Sequence, residues 1–565
     1  MFISFRPFRP GRLTLLGVLV AFISLSPHVS TRAPHFYPDD PIAREPESQD
    51  ASGAQPYEIG LLFELTHNLF VTPNYKPSGA RALNVNTIDE VPDSGWFTNR
   101  IGVIPLTVDD VVRGPNFGAP PDPSHWVVIR EKSAGAHPGF TAKDAAGETW
   151  FLSFDPPEYP EGESGAVAVA SKIFWALGYN QVESFVTTFD PKRIEIDPKA
   201  TRKRPSGART PFTPDDVDEI LGNAARSTDG TYRAFAGRLI PGKVLGGFLY
   251  QGTRPDDPND TVPHEHRREL RALRVFGAWT NLTDLKAGNT LDALQTENGR
   301  AIIRHYLQDV GSTFGMCNDK YTWDISWEYF YQSDATLRRL WSFGFALSPW
   351  QTAPYVEYSS LGKFEGERFD PRTWRPQTPT TAYMELREDD AFWAARRLAA
   401  FTDDLIRAVV HTANYSDPAA EKHLADVLIQ RRDKIKSVYL TAVNPIVNPR
   451  LADDGRLTFE NAAFAAGVGK GVATSVVSWA RFDNATGDTR VLSETRSETT
   501  TVEPPPNLPS APGTYIEADI ALESPFYPVW QQPVRTYFVR EPGGWKLVGL
   551  ERLPKSLSSP AAARQ

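Results

Sequence analysis

Three oxygen-bearing side chains, Asp284, Asn289 and Asp309, have the types and spacing to hold a metal ion. The first two share a polar loop with Lys286 between them, and the third follows an apolar segment. Carboxylate and amide oxygens are the ligands that Mg²⁺ prefers, and a metal held in this way can neutralise phosphate charge. The pattern therefore predicts a metal site that could accept phosphate groups.

The neighbouring segments predict how these side chains are positioned. Apolar residues at spacings of three predict a helix over residues 267–279, directly before the loop. Asn298 and Gly299 predict a tight hairpin turn that leads into an apolar strand over residues 301–307. Since that strand ends just before Asp309, the hairpin would fix the distance between the loop and Asp309.

The preceding part of the chain predicts short strands and one helix. Strands are expected at 126–130, 140–144 and 149–154, separated by turns, and a helix at 165–177. Two further strands are expected at 183–189 and 194–196. Residues 199–237 are interpreted as an insertion, in which Thr213 and Pro214 begin a short helix.

In this order, the segments resemble the catalytic domain of protein kinases. The loop Asp284-Leu-Lys-Ala-Gly-Asn289 is similar to the Asp-Leu-Lys-x-x-Asn loop of that family, and Asp309-Val-Gly311 is similar to its Asp-Phe-Gly triplet. The resemblance implies an α+β fold, in which a two-lobed protein-kinase-like domain is followed by a small antiparallel β domain. It covers residues 126–430 in architecture, but only the central stretch in motif.

The resemblance also implies roles for individual residues and a cofactor, ATP carried by Mg²⁺ or Mn²⁺. The resemblance assigns the catalytic role to Asp284 and Lys286. As metal ligands it implies Asn289 and Asp309. The positions that would contact the nucleotide are Lys143, Ser153, Gly135 and Gly139.

Four positions depart from the family pattern. Leu282 and Thr283 precede Asp284 where the family has His-Arg, and Ser153 stands where it has a phosphate-binding lysine. No glutamate is expected in the first turns of the following helix, where Val167 takes its place. Losing one partner of a buried ion pair would cost about 3–5 kcal/mol, so a joint loss is expected.

Two explanations of the missing ion pair remain open. The chain is either a pseudokinase that keeps the fold, or an enzyme in which another cation reaches the phosphates. The candidate cations are Lys143, Lys172 and Lys286.

The composition and the first residues predict an exported protein. Arg6, Arg9 and Arg12 precede an apolar run at 13–25, which is typical of a signal peptide or an uncleaved membrane anchor. The single cysteine, Cys317, excludes an intramolecular disulfide, and the net charge of −9 gives no reason to expect nucleic acid as a partner. A periplasmic or extracellular location is expected, with possible membrane attachment through residues 13–26.

The expected division of the chain follows these patterns. Alternating apolar residues after residue 438 predict antiparallel strands of a sandwich-like domain. The expected units are a signal peptide or anchor (1–31), an extended leader with a helical segment (32–125), a small lobe with an insertion (126–250), a mainly helical large lobe (251–437), a β domain (438–553) and a disordered tail (554–565).

Two hypotheses of other classes remain beside nucleotide binding. The chain could be a non-catalytic module that binds a cell-envelope protein or polymer through its aromatic-rich lobe and its β domain. The acidic residues of the central stretch could alternatively form a structural cation site. The aromatic side chains at 323–350 are expected to pack in the core of the large lobe. The alternative is that they stack on sugars or bases of a ligand.

Overall fold

The computed structural model describes most of the chain as a mixed α+β protein with several sheets, which confirms the coarse fold class. The predicted signal segment, Gly135, Cys317 and almost all of the predicted tail lie outside the described residues. The described residues are 33–132, 137–204, 206–316 and 328–554.

The first described stretch is largely extended and contains two short helices. Helix α1 is Leu61–Thr66, within the predicted helical segment, and α2 is Val108–Arg113. Thr107 and Asp110 form a capping box at the start of α2, which satisfies two backbone N–H groups that a helix start leaves unpaired. Across the described ranges, no helix is both long and apolar enough to cross a membrane.

Residues 126–246 form short strands around two helices, close to the predicted positions. The helices are α3 (Gly162–Leu177) and α4 (Pro214–Leu221). The strands are β1 (Trp126–Glu131), β2 (Gly139–Lys143), β3 (Thr149–Phe154), β4 (Ser184–Phe189), β5 (Ile194–Ile196), β6 (Thr201–Lys203), β7 (Arg209–Pro211), β8 (Tyr232–Arg238) and β9 (Lys243–Gly246).

Six of these strands make one sheet in the order β4-β8-β3-β2-β1-β5. All neighbours are antiparallel except β1 and β5. One face carries Trp150, Leu152 and Phe154, which are buried in a core that also includes residues of α4. Since side chains alternate along a strand, Ser153 on β3 and Arg233 on β8 lie on the opposite face, where Arg233 binds α3.

The central helix and hairpin agree with prediction to within a few residues. Helix α5 is Arg268–Thr280, and the hairpin consists of β10 (Thr290–Glu297) and β11 (Arg300–Leu307), with β9 paired to β10. Asn298 and Gly299 both have positive φ, 50° and 79°, as a two-residue type I′ turn requires.

The next part of the chain is mainly helical. Residues 388–411 form two consecutive helices, although their apolar spacing would also fit a single helix. Thr402 accepts a hydrogen bond from the Leu405 N–H group and starts the second of them. The helices are α6 (Ser333–Trp341), α7 (Thr381–Met384), α8 (Glu388–Ala399), α9 (Asp403–His411) and α10 (Pro418–Tyr439).

The aromatic segment between 330 and 347 differs from its prediction. Phe330, Trp341 and Phe343 are 68%, 82% and 90% exposed, so the expected core packing is wrong for these three. Trp323 and Trp327 lie outside the described residues.

The C-terminal part contains two antiparallel sheets, β12-β13-β16 and β15-β14-β17-β18-β19. Ile520 and Trp530 belong to one continuous core with residues of α5 and α10. The elements are β12 (Ile446–Leu451), β13 (Leu457–Asn461), α11 (Ala462–Ala465), β14 (Thr474–Phe482), β15 (Thr489–Ser497), β16 (Thr501–Val502), β17 (Tyr515–Glu523), β18 (Val534–Glu541) and β19 (Gly544–Glu551).

Candidate functional site

The polar loop after α5 is held by its own hydrogen bonds. Asn281 ends the helix with a left-handed φ of 60°, which turns the chain into the loop. The Asn289 side-chain amide donates to the Asp284 backbone carbonyl over 2.9 Å, and the Lys286 ammonium lies 2.6 Å from the Asp284 carboxylate. The loop thus presents one carboxylate, one amide oxygen and one ammonium group within six residues.

The hairpin brings Asp309 to this loop. Strand β10 begins directly after Asn289, and Thr290 pairs with Leu307 at the end of β11. The Asp309 backbone N–H group then donates to the Asn289 carbonyl over 3.0 Å. Asp309 is exposed, and its Oδ1 atom accepts from the Gly311 N–H group over 3.0 Å. The structure therefore brings Asp284, Asn289 and Asp309 together.

A residue from the leader also contacts the loop. Glu64 on α1 is buried and its Oε1 atom accepts a hydrogen bond from the Gly288 N–H group over 3.2 Å. Burial raises the pKa of Glu64. Burial alone would lower the pKa of Lys286, but Asp284 outweighs it, and Asp309 and Glu64 act in the same direction, so this pKa is raised. Lys286 therefore keeps its positive charge.

The donor set fits a hard divalent cation. The side-chain nitrogen of Asn289 donates to the backbone, which leaves its side-chain oxygen Oδ1 to accept a hydrogen bond or to bind a metal. Oxygen donors of this kind suit Mg²⁺ or Mn²⁺. No group of three or more His, Cys, Asp or Glu that could hold a metal occurs in the described ranges.

The predicted nucleotide contacts on the sheet are only partly assembled. Ser153 on β3 pairs with Gly139 on β2, but Lys143 pairs with Thr149 at the other end of these strands. Four residues of strand separate Lys143 from Gly139, about 13 Å along the chain. Lys143 is also exposed. The structure therefore does not bring Lys143 to Ser153, and Gly135 lies outside the described residues.

Lys172, the candidate cation on α3, is buried within the protein. Its ammonium group donates to the Ala168 carbonyl over 2.9 Å, and its stem fills the space beside Gly114. Burial lowers the pKa of Lys172 to about 8. These contacts are those of a packed side chain rather than of a phosphate ligand.

A glutamate in the first turn of α3 corrects the sequence-based expectation. The helix begins at Gly162 instead of Gly165, which places Glu163 in its first turn. Glu163 Oε2 lies 2.7 Å from His137 Nδ1. A Cβ atom on Gly311 would lie 3.7 Å from Glu163 Cγ, so the helix start is next to the Asp-Val-Gly triplet. Val167 also contacts that triplet, one turn further along.

Lys132 contacts Ser153, the residue at the predicted lysine position of β3. It follows the last residue of β1, and its ammonium group donates to the Ser153 hydroxyl over 2.9 Å. Ser153 is almost fully buried. Neither Lys132 nor Glu163 belongs to a sequence motif. The only available signal was that Lys132 begins the turn between the first two strands.

Comparison with known proteins gives limited information. No family model matches the sequence, and no curated protein matches it. Among solved structures, the chain is similar to two crystal structures of the Golgi casein kinase, one of them with Mn/ADP bound. For each, the TM-score is 0.28 at 10% identity, and the match covers 72% of this chain and 98% of the other.

Proposed function

We propose that the chain is an exported kinase-like protein that binds a divalent-metal complex of ATP between its six-stranded sheet and the loop after α5. The observation that carries the proposal is the backbone link between the loop and the triplet, in which Asp309 N–H donates to the Asn289 carbonyl. This link fixes the backbone of Asp309 against that of Asn289, whose side-chain amide in turn donates to the Asp284 carbonyl.

The arrangement of elements supports a two-lobed kinase-like domain. In chain order, helix α3 follows β3 and precedes β4. In the sheet, β8 lies between β3 and β4. A long helix, a polar loop and a hairpin that ends in Asp-Val-Gly then follow. Protein kinases place a catalytic Asp and a metal-binding Asn in such a loop, and a metal-binding Asp in such a triplet.

The residues of the loop would have separate tasks. Asn289 and Asp309 would hold the ion, which when bound supplies charge neutralisation for the phosphates. Asp284 would orient an acceptor hydroxyl group and take its proton. The Lys286 ammonium group lies 2.6 Å from the Asp284 carboxylate, and this contact would orient the carboxylate within the loop. Weak or atypical phosphoryl or nucleotidyl transfer, or binding without transfer, is compatible with this arrangement.

Calorimetric titration with ATP in the presence of Mg²⁺ or Mn²⁺ tests the proposal. We expect binding to the wild type, and at least a tenfold loss in Asp309→Asn. Asp229→Asn, in a surface loop, is the matched control and should bind like the wild type. Asp284→Asn should keep binding while any transfer to a hydroxyl acceptor is lost. The proposal is wrong if the wild type does not bind, or if Asp309→Asn binds equally well.

The exposed aromatic segment favours a second candidate function, non-catalytic binding to a carbohydrate polymer of the cell envelope. Trp341 and Phe343 present their rings to solvent, with the exposed Arg338 on the same helix. Aromatic faces of this kind can stack on sugar rings. Co-sedimentation with purified peptidoglycan should then fall in a Trp341→Ser, Phe343→Ser double variant. Equal sedimentation of the variant and the wild type would reject this function.

A further inference from the structure

Two described residues between β1 and β2, Lys132 and His137, contact separate parts of the candidate site. Lys132 directly follows β1, and its backbone N–H group donates to the Gly139 carbonyl over 3.0 Å. The Lys132 side chain reaches Ser153 on β3. His137 contacts Glu163 in the first turn of α3.

Gly139 makes room for the lysine side chain. A Cβ atom at this position would lie 2.1 Å from the Leu152 carbonyl oxygen and 3.1 Å from Lys132 Cδ. No residue other than glycine fits there without displacing the backbone of β3. The Lys132 stem is therefore guided along β2 until its ammonium group is 2.9 Å from the Ser153 hydroxyl.

Lys132 is a cation without an acidic partner in the described part of the chain. No carboxylate there lies within ion-pair distance of its ammonium group, which donates to the neutral hydroxyl group of Ser153. Glu163 has its own partner in His137. A half-buried ammonium group that is bonded only to a hydroxyl retains donors for an anion.

We infer that Lys132 supplies the cation that binds the nucleotide phosphates. It would replace the lysine that protein kinases carry on the third strand, where this chain has Ser153. Its ammonium group donates to the phosphate oxygens of a nucleoside di- or triphosphate, while His137, which precedes β2, contacts Glu163 at the start of α3. This inference rests on the proposed function, because it assigns one further residue to the same site.

Nucleotide binding to Lys132→Met tests the inference, since methionine keeps the aliphatic stem and removes the charge. A charge-assisted hydrogen bond to phosphate predicts a Kd for ADP with Mn²⁺ that rises about 10- to 100-fold. Adenosine, which has no phosphate, should bind the variant and the wild type equally. Lys203→Met, on the exposed strand β6, is the matched control and should change neither constant.

A relocated lysine separates loss of charge from loss of folding. In the double variant Lys132→Ser, Ser153→Lys, the ammonium group starts from the third strand, and affinity for ADP should recover to within about threefold of the wild type. If the wild type binds ADP and Lys132→Met binds it equally, Lys132 is not the phosphate cation, although the proposed function stands. An equal loss for adenosine and ADP, or no recovery in the double variant, would also overturn the inference. No ADP binding by the wild type would refute the proposed function itself.

Discussion

Replacing Asp155 with asparagine should remove a pH dependence from the stability of the protein. Asp155 follows β3 and is buried. Its carboxylate accepts hydrogen bonds from the Ser164 N–H group over 2.8 Å and from the Ser164 hydroxyl over 2.6 Å. These bonds tie the end of the sheet to the first turn of α3, which carries Glu163. Arg233 approaches Asp155 to 4.0 Å.

The size of the effect follows from the Asp155 pKa. Burial raises this pKa from 3.8 to about 6, because the charged form loses water and the Ser164 bonds only partly replace it. The folded protein therefore holds the proton more tightly than the unfolded chain. The contribution of Asp155 to the free energy of unfolding is therefore highest below pH 4, falls as the pH rises to about 6 and is constant above that value. The fall amounts to about 3 kcal/mol.

Urea unfolding of the wild type and of Asp155→Asn between pH 3.5 and 7.5 measures this fall. Tryptophan fluorescence reports the transition, and other groups cancel in the difference between the two proteins. Relative to the wild type, the variant should gain about 3 kcal/mol between pH 4 and pH 6.5. Asp229→Asn is a control of opposite sign, because hydrogen bonds from Thr231 lower the pKa of Asp229. A difference that stays flat with pH for Asp155→Asn would refute the reasoning.

Two further predictions concern buried charges. Asp390→Ala should lower the free energy of unfolding by about 3–5 kcal/mol, because it leaves buried charges unpaired. Asp390 lies 2.9 Å from Arg268 and 3.2 Å from Arg271, and both arginines are fully buried. Urea unfolding at pH 7 measures this loss. Lys172→Met should stabilise the protein at pH 7 by about 3 kcal/mol, because the wild-type ammonium group is charged although burial lowers its pKa to about 8. Thermal unfolding should show this gain shrink between pH 8 and pH 10.5, and a constant or negative gain would contradict the explanation.

Local signals were sufficient to predict the central part of the site. Asn298 and Gly299 specify a tight turn, and a tight turn between two strands returns the chain to its starting point. Asp309 therefore had to lie near Asn289, although twenty positions separate them in the sequence. The helix before the loop was equally predictable from its spacing of Leu270, Leu273 and Phe276.

The parts of the site that depend on distant contacts could not be predicted in the same way. Glu64 reaches Gly288 from more than 200 residues away, and nothing in the sequence near either residue signals the contact. The start of α3 was misplaced because Glu161, a left-handed residue with φ of 69°, precedes it instead of a usual capping side chain. That error of three residues hid Glu163. The aromatic residues Trp341 and Phe343 were misjudged because composition alone does not tell whether a partner surface covers them.

The contacts of Glu163 and Lys132 explain why the absence of the motif lysine does not by itself exclude phosphate binding. Glu163 Oε2 lies 2.7 Å from His137 Nδ1, so the glutamate contacts a histidine and not a lysine. The Lys132 ammonium group donates instead to the neutral hydroxyl group of Ser153. The expected joint loss of a lysine and a glutamate is thus replaced by two separate contacts. Because Lys132 is not neutralised by Glu163, its charge remains available to an anion, which is the property that phosphate binding needs.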